Sequence, residues 1–247
     1  MASKDKTDRL AVLIDAENTS SKIAGSLFAE IARLGEASVR RIYGDFSAPG
    51  LKGWTETLTR YAIVPQQQFA YTAGKNASDI TLVIDAMDLL QSNRFDGFCL
   101  VSSDSDFTRL ASRIREQGAD VYGFGDQKTS ESFRQACSRF IYTELLPSEP
   151  SADVSPKPVL PGSPPSAAIP IIKRVLADID GDDGWVALST LGALLSNLKS
   201  DFDLRTYGSS KLSDLVKKTG AFEVEAVEGK GIRVRTRKLK PKNKTDS

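Results

Sequence analysis

The sequence predicts an α/β protein, with a parallel-sheet domain followed by a second, smaller α+β domain. Three observations carry this reading. Short apolar runs alternate with helical patterns between Leu10 and Tyr142, the order that gives a parallel sheet covered on both faces. Eight of the eleven prolines fall between Pro147 and Pro170, and the serines among them mark a semi-extended linker. Beyond it, three helical patterns are closed by two strands of period two. A chain of 247 residues, 40% hydrophobic and 26% charged, has room for one domain of about 150 residues and a small one.

Leu10 to Ile14 reads as a strand running into Asp15-Ala16-Glu17-Asn18. Ile23, Leu27, Ile31 and Leu34 recur at helical spacing, and Gly35 is placed to end that helix. Val39 to Phe46 reads as a second strand with Asp45 at its end, Pro49-Gly50 as a turn, and Trp54, Leu58 and Tyr61 as a short helix. Ile63 to Phe69 is a weaker strand, and Gly74 to Asp79 a loop leading into a helix over Ile80 to Gln91. Phe98 to Val101 is a buried strand that ends in Ser102-Ser103-Asp104-Ser105-Asp106. A helix follows with Phe107, Leu110 and Ile114 on one face and Gly118 as its stop. Ala119 to Phe124 gives a strand, Ser132 to Cys137 lies in a helix, and Phe140 to Tyr142 adds a last strand. Strand order does not follow from the pattern.

In the second domain, Ile171, Ile172, Val175, Leu176 and Ile179 mark a helix stopped by Asp180 to Gly184. Trp185 to Leu188 leads into a helix around Leu191, Leu194, Leu195 and Leu198, and a third helix runs from Ser210 to Lys218. Phe222 to Val227 and Ile232 to Arg235 alternate across Gly229-Lys230-Gly231 as a hairpin, completing a winged-helix-like pattern. The expected boundaries are 1–146 for the first domain, 147–168 for the linker, 169–240 for the second domain and 241–247 for a basic, polar tail.

Composition excludes several chemistries. The chain has no histidine, which rules out Ser-His-Asp and Cys-His nucleophile systems and the HExxH zinc site. Its two cysteines, Cys99 and Cys137, sit in apolar segments without CxxC spacing and read as buried free thiols of a reducing compartment, so the expected location is the cytoplasm. No run resembles a membrane span or a secretory signal. A metal would be held mainly by oxygen, which favours magnesium or manganese over zinc. The net charge of +1 hides an asymmetry: Met1 to Leu146 carries 17 basic against 19 acidic residues, Ile169 to Ser247 15 against 11. An acidic body with a basic end suggests a site in one part and a polyanion contact in the other.

Asp15, Asp45 and Asp104 fall at the carboxyl ends of predicted strands, and Asp79 at a helix start. In a parallel sheet those ends share one edge, so the acids can converge from distant positions. Clustered carboxylates repel unless a proton or a metal intervenes. A divalent cation held there would polarise a phosphodiester and activate water without any histidine. Helix capping is the competing explanation, since Asp, Ser and Asn are favoured N-caps. Capping suits Asp45, as a turn residue, and Asp85, as an exposed helix position. It does not require Asp104-x-Asp106 after Val101, nor Asp15 with Asn18 after the first strand. Asp79 and Asp106 fit either explanation. Lys75 reads as a phosphate-facing cation or a solvated loop lysine, and Asn18 and Ser103 could orient a bound water or satisfy backbone groups. No GxGxxG or P-loop occurs.

Four motifs in this order, Leu13-Ile14-Asp15-Ala16-Glu17-Asn18, Tyr43-Gly44-Asp45, Lys75-Asn76-Ala77-Ser78-Asp79 and Ser102-Ser103-Asp104-Ser105-Asp106-Phe107, resemble the NYN family of PIN-like nucleases over about Arg9 to Glu144. The resemblance implies a metal-dependent ribonuclease whose carboxylates Asp15, Asp79, Asp104 and Asp106 hold magnesium or manganese, with Asn18, Lys75 and Ser103 in support. Gly184-Trp185-Val186, Leu191-Gly192 and Asp201 to Gly208, followed by Lys211-Leu212, resemble the OST-HTH/LOTUS module. That module implies RNA binding or docking of a protein partner. Lys211, Lys217, Lys218, Arg233, Arg235 and Arg237 are the candidate phosphate contacts, with a solvated basic face as the alternative. Two other readings stay open. One is a non-catalytic RNA-binding adaptor. The other takes Asp104-Ser105-Asp106 as the DxD of a glycosyltransferase, which gives Asp15 no role.

Overall fold

The computed structural model describes residues 7–68, 77–146, 162–177, 179, 184–227 and 231–237. Strand β1 (Arg9–Asp15) is buried from Leu10 onward. Successive side chains on a strand face opposite ways, so its apolar run feeds two cores at once. Ala11 and Leu13 pack with Leu82, Ala86, Leu110 and Ile114 on one face; Leu10, Val12 and Ile14 pack with Leu27, Ile31 and Trp54 on the other.

Five strands join it, all parallel: β2 (Glu36–Gly44), β3 (Val64–Gln67), β4 (Gly97–Val101), β5 (Asp120–Gly125) and β6 (Arg139–Tyr142). Between them lie α1 (Ala24–Leu34), α2 (Lys52–Leu58), α3 (Ala77–Gln91), α4 (Thr108–Glu116) and α5 (Glu131–Ala136). The sheet order is β3-β2-β1-β4-β5-β6. The chain builds outward from β1 in one direction and then returns to β1's other side with β4, so the order reverses between β1 and β4. In open α/β sheets the crevice at such a point, outside the carboxyl ends, is where ligands bind.

Gly35 ends α1 as expected, its N–H donating to the Ile31 carbonyl. A β-carbon there would run into the Asp8 carbonyl, so close backbone approach, rather than a left-handed conformation, requires the glycine. Gly118, with φ +86°, closes α4 in the left-handed manner.

The second unit has its own core of Ile172, Val175, Leu191, Leu195, Leu215, Val216, Phe222 and Val234. Helices α6 (Ile169–Ala177), α7 (Leu188–Leu198) and α8 (Leu212–Thr219) pack with a three-stranded antiparallel sheet in the order β7-β9-β8. The hairpin is β8 (Phe222–Val227) and β9 (Gly231–Thr236). Strand β7 (Val186–Ala187), two residues long, pairs Val186 with Val234, a partnership too short to leave a period-two signal. A tight 3-10 turn at Pro165–Ala168 precedes α6, with Ala168 fully buried. Among the described residues no helix is long and apolar enough to cross a membrane.

Candidate functional site

Asp15 stands at the last position of β1, only 1% exposed. Its Oδ1 accepts from the backbone N–H of Glu17 (3.1 Å) and of Asn18 (3.2 Å), and its Oδ2 from Asn18 Nδ2 (2.8 Å) and Ser102 Oγ (2.7 Å). All four donors are neutral, and no cation pairs with Asp15 among the described residues. Buried charges in proteins are normally paired or coordinate a metal.

The loop after β1 is tied to its neighbours. Thr19 Oγ1 donates to the Val101 carbonyl at the end of β4 (3.2 Å), and Trp54 Nε1 of α2 donates to the Thr19 carbonyl (2.9 Å). Ser102, 2% exposed, links the two central strands: its hydroxyl donates to Asp15 and accepts the N–H of Asp104 (3.1 Å). Gly125 lets β5 close in beside it, since a β-carbon there would meet the Ser102 carbonyl at 2.8 Å.

Asp104 caps the turn Ser105–Phe107 by accepting the N–H of Asp106 (2.8 Å). It is half-buried, whereas Asp106 and Asn18 are exposed. Asp79 lies in the first turn of α3. Its carboxyl is pushed up to about 6, first by burial and then by the negative charges of Asp15, Asp104, Glu17 and Asp106. The charges of Asp15, Asp104, Glu17 and Asp106 thus all reach Asp79 at the β1–β4 crevice. As the side chains stand, no three acidic or cysteine side chains among the described residues form a ready-made metal centre. The donor set of carboxylates around the buried Asp15 still suits a hard divalent cation.

The other candidates are placed as follows. Ser103 Oγ accepts the N–H of Asp126 (2.9 Å) in the loop after β5. Asp45 accepts from Ser47 N (3.0 Å) and Gln67 Nε2 (2.8 Å), a turn residue pinned to β3. Asp85 holds α3 to β2 through Tyr43 Oη (2.8 Å) and Arg41 Nη1 (2.8 Å). Lys75 lies outside the described residues. Neither Ser102 nor Glu17 stands out in the sequence. Ser102 sits at a strand end beside the more conspicuous Asp-x-Asp, and Glu17 within a motif dominated by Asp15 and Asn18.

In the second unit, Arg233 and Arg235 pair with Glu225 and Glu223 across the hairpin, and both guanidinium groups lie over the Trp185 ring, at 4.6 and 4.5 Å from its centroid. Lys218 Nζ donates to the Gly208 carbonyl (2.8 Å) and to Ser209 Oγ (3.3 Å). Lys211, Lys217 and Arg237 are exposed and make no ion pair among the described residues.

Comparison with known proteins joins these observations. The NYN domain model matches residues 9–146, and the OST-HTH/LOTUS domain model residues 164–234. A crystal structure of a protein of unknown function from Vibrio parahaemolyticus is similar at 19% identity and a TM-score of 0.47, covering 57% of this chain and 96% of its own, a likeness too slight to build on. No curated protein matches the chain. The NYN match spans more than half the sequence and contains Asp15, Asp79, Asp104 and Asp106. The chain belongs to the NYN domain family, a family of PIN-like nucleases, and carries an OST-HTH/LOTUS domain behind its NYN domain.

Proposed function

We propose that the NYN domain is a metal-dependent endoribonuclease and that the OST-HTH/LOTUS domain holds its RNA. The observation that carries this reading is Asp15: a buried carboxylate with no counter-cation among the described residues, facing further acids at the point where strand order reverses. Asp15, Asp79, Asp104 and Asp106 would hold Mg2+ or Mn2+, with Asn18, Ser103 and Lys75 as supporting groups. The ion, when bound, supplies charge stabilisation at a phosphodiester and a more acidic water. Asn18 and Ser102 fix the Asp15 carboxylate, and the backbone of Glu17 and Asn18 keeps its second oxygen in place. Family membership supplies RNA as the substrate class.

In the second domain, Lys211, Lys217 and Arg237 are the phosphate contacts ready for use; Lys218, Arg233 and Arg235 would first have to leave the partners they now hold. The paired state of the two arginines favours a second reading for that face, docking of a protein partner.

The test is cleavage of labelled single-stranded RNA with Mn2+, Mg2+ or EDTA by wild type, Asp15→Asn and Asp104→Asn purified in parallel. Metal-dependent cutting that both substitutions abolish is the expected result. Equal activity in all three proteins would point to a contaminant. RNA binding without cleavage in any of them would leave a non-catalytic adaptor.

A further inference from the structure

Beyond the carboxyl ends of the central strands stand four exposed cations: Lys22 in the turn after β1, Lys52 at the start of α2 after β2, Arg109 at the start of α4 after β4 and Lys128 in the loop after β5. None of the four makes an ion pair or side-chain hydrogen bond among the described residues, although Glu17, Asp104 and Asp106 share that edge. Most cations toward the opposite edge are engaged, Arg139 at the start of β6 being the exception among the described residues. Arg33 pairs with Glu30, Arg113 pairs with Glu116, Arg115 donates to the carbonyls of Gln135 and Ala136, and Arg94 lies over the Phe95 ring.

Strand order then sets the sequence of charges along the edge. Lys52 and Lys22 follow β2 and β1, beside Asp45, whose carboxylate accepts from Ser47 and Gln67. Asp15 and Asp104 lie at the junction of β1 and β4. Arg109 and Lys128 follow β4 and β5, beside Asp126, whose carboxylate accepts the backbone N–H of Lys128. The start of α2 packs on the turn that holds Lys22, where a β-carbon on Gly53 would collide with Ser21 Oγ. On the other side, the bond from Asp126 N to Ser103 Oγ (2.9 Å) ties the Lys128 loop to the Asp104 loop. From β2 to β5 is three strand spacings, roughly 14 Å.

Resting on the nuclease reading, we propose that Lys22, Lys52, Arg109 and Lys128 form a phosphate track for single-stranded RNA, two cations on each side of the acids. A repeating anion is the ligand that answers two cation pairs held apart by a metal-loving cluster. Because the strand is gripped on both sides, the linkage at the acids is an internal one.

The experiment measures binding of a fluorescent oligouridylate to the full chain in EDTA across a series of KCl concentrations. The proteins are wild type, the fourfold variant Lys22→Gln, Lys52→Gln, Arg109→Gln, Lys128→Gln, and an opposite-edge control, Arg33→Gln, Arg94→Gln, Arg113→Gln. Removing one cation from the phosphate backbone makes the slope of log K against log salt shallower by about 0.7, so the fourfold variant should flatten it by roughly 3. Its affinity at low salt should fall at least about tenfold, with the control unchanged. A fourfold variant that binds like wild type, or a control that weakens as much, overturns the track. The binding arm needs no catalysis. A flattened slope in a protein that never cuts RNA would sink the nuclease reading and keep the track, whereas metal-dependent cutting with an unmoved slope would do the reverse.

Discussion

Ser102 shows how much of the candidate site depends on one hydroxyl. It donates to the buried Asp15 and accepts from the backbone of Asp104, so it fixes the spacing of the β1 and β4 ends. Ser102→Ala leaves one lone pair of a buried carboxylate unsatisfied, at a cost of about 1–3 kcal/mol in urea denaturation. Groups that orient metal ligands typically matter roughly 10–100-fold, so Mn2+ affinity should fall by that factor. Unchanged Mn2+ affinity would remove Ser102 from the site. Asp79 gives a second prediction, with a sign. Its folded pKa, about 6, lies above the ordinary value of 3.8. The folded state therefore favours the protonated form, and the stability that this group contributes is full near pH 4 and lost as pH rises through about 6. In EDTA, Asp79→Asn should melt higher than wild type at neutral pH and lose that advantage toward pH 4. Saturating Mn2+ should raise the melting temperature of wild type but not of the variant. A variant less stable than wild type at neutral pH in EDTA would show that Asp79 is not under repulsion from its neighbours.

Helix α3 carries Asp79 at its start and is clamped to the sheet six residues later through Asp85. Tyr43 is fully buried, and its hydroxyl has Asp85 as partner; burial, before the hydrogen bond, drives its pKa far up. Asp85→Ala strands that hydroxyl and frees Arg41, for a loss of about 1–3 kcal/mol, whereas Tyr43→Phe removes donor and hydroxyl together and should cost less. If urea denaturation ranked the two the other way, the clamp would not be what holds α3. This pair also marks what the sequence could and could not tell. Asp85 reads as an exposed helix position because its partners on β2 lie more than forty residues away, and helical periodicity says nothing of what crosses above a strand. The strands themselves are legible, since β1 and β4 are apolar runs too short for helices. Their order is not, because period-two patterns are the same whichever neighbour a strand takes. Yet that order makes β1 and β4 adjacent and turns separate Asp-bearing loops into one crevice. The Asp-x-Asp motif stands out locally. Ser102, whose importance is its bond to Asp15, 87 residues distant, does not.

The molecule divides into two units with separate cores, and its two tryptophans fall one in each: Trp54 buried against α1 and the sheet, Trp185 under Arg233 and Arg235 on the hairpin. A domain of about 70 residues buries a smaller fraction of its surface than one of about 140, so the second unit should be the weaker. Urea unfolding of the full chain followed by fluorescence should then show two steps. Trp185→Phe should erase the first and leave the second, reported by Trp54. Truncation after Lys157 should do the same. If the nuclease site is complete within residues 9–146, the truncated protein still cuts short RNA at close to the full-chain rate but binds long RNA more weakly, because Lys211, Lys217 and Arg237 are gone. Replacing those three by Gln in the full chain should reproduce the weaker binding without moving either unfolding step. The two proteins separate the remaining possibilities. Truncation that weakens binding when the triple replacement does not would make the second domain's contact one of shape or of its paired arginines. Long RNA bound as tightly by the truncated protein as by the whole chain would put all of the RNA contact on the sheet edge, leaving the hairpin face for a protein partner.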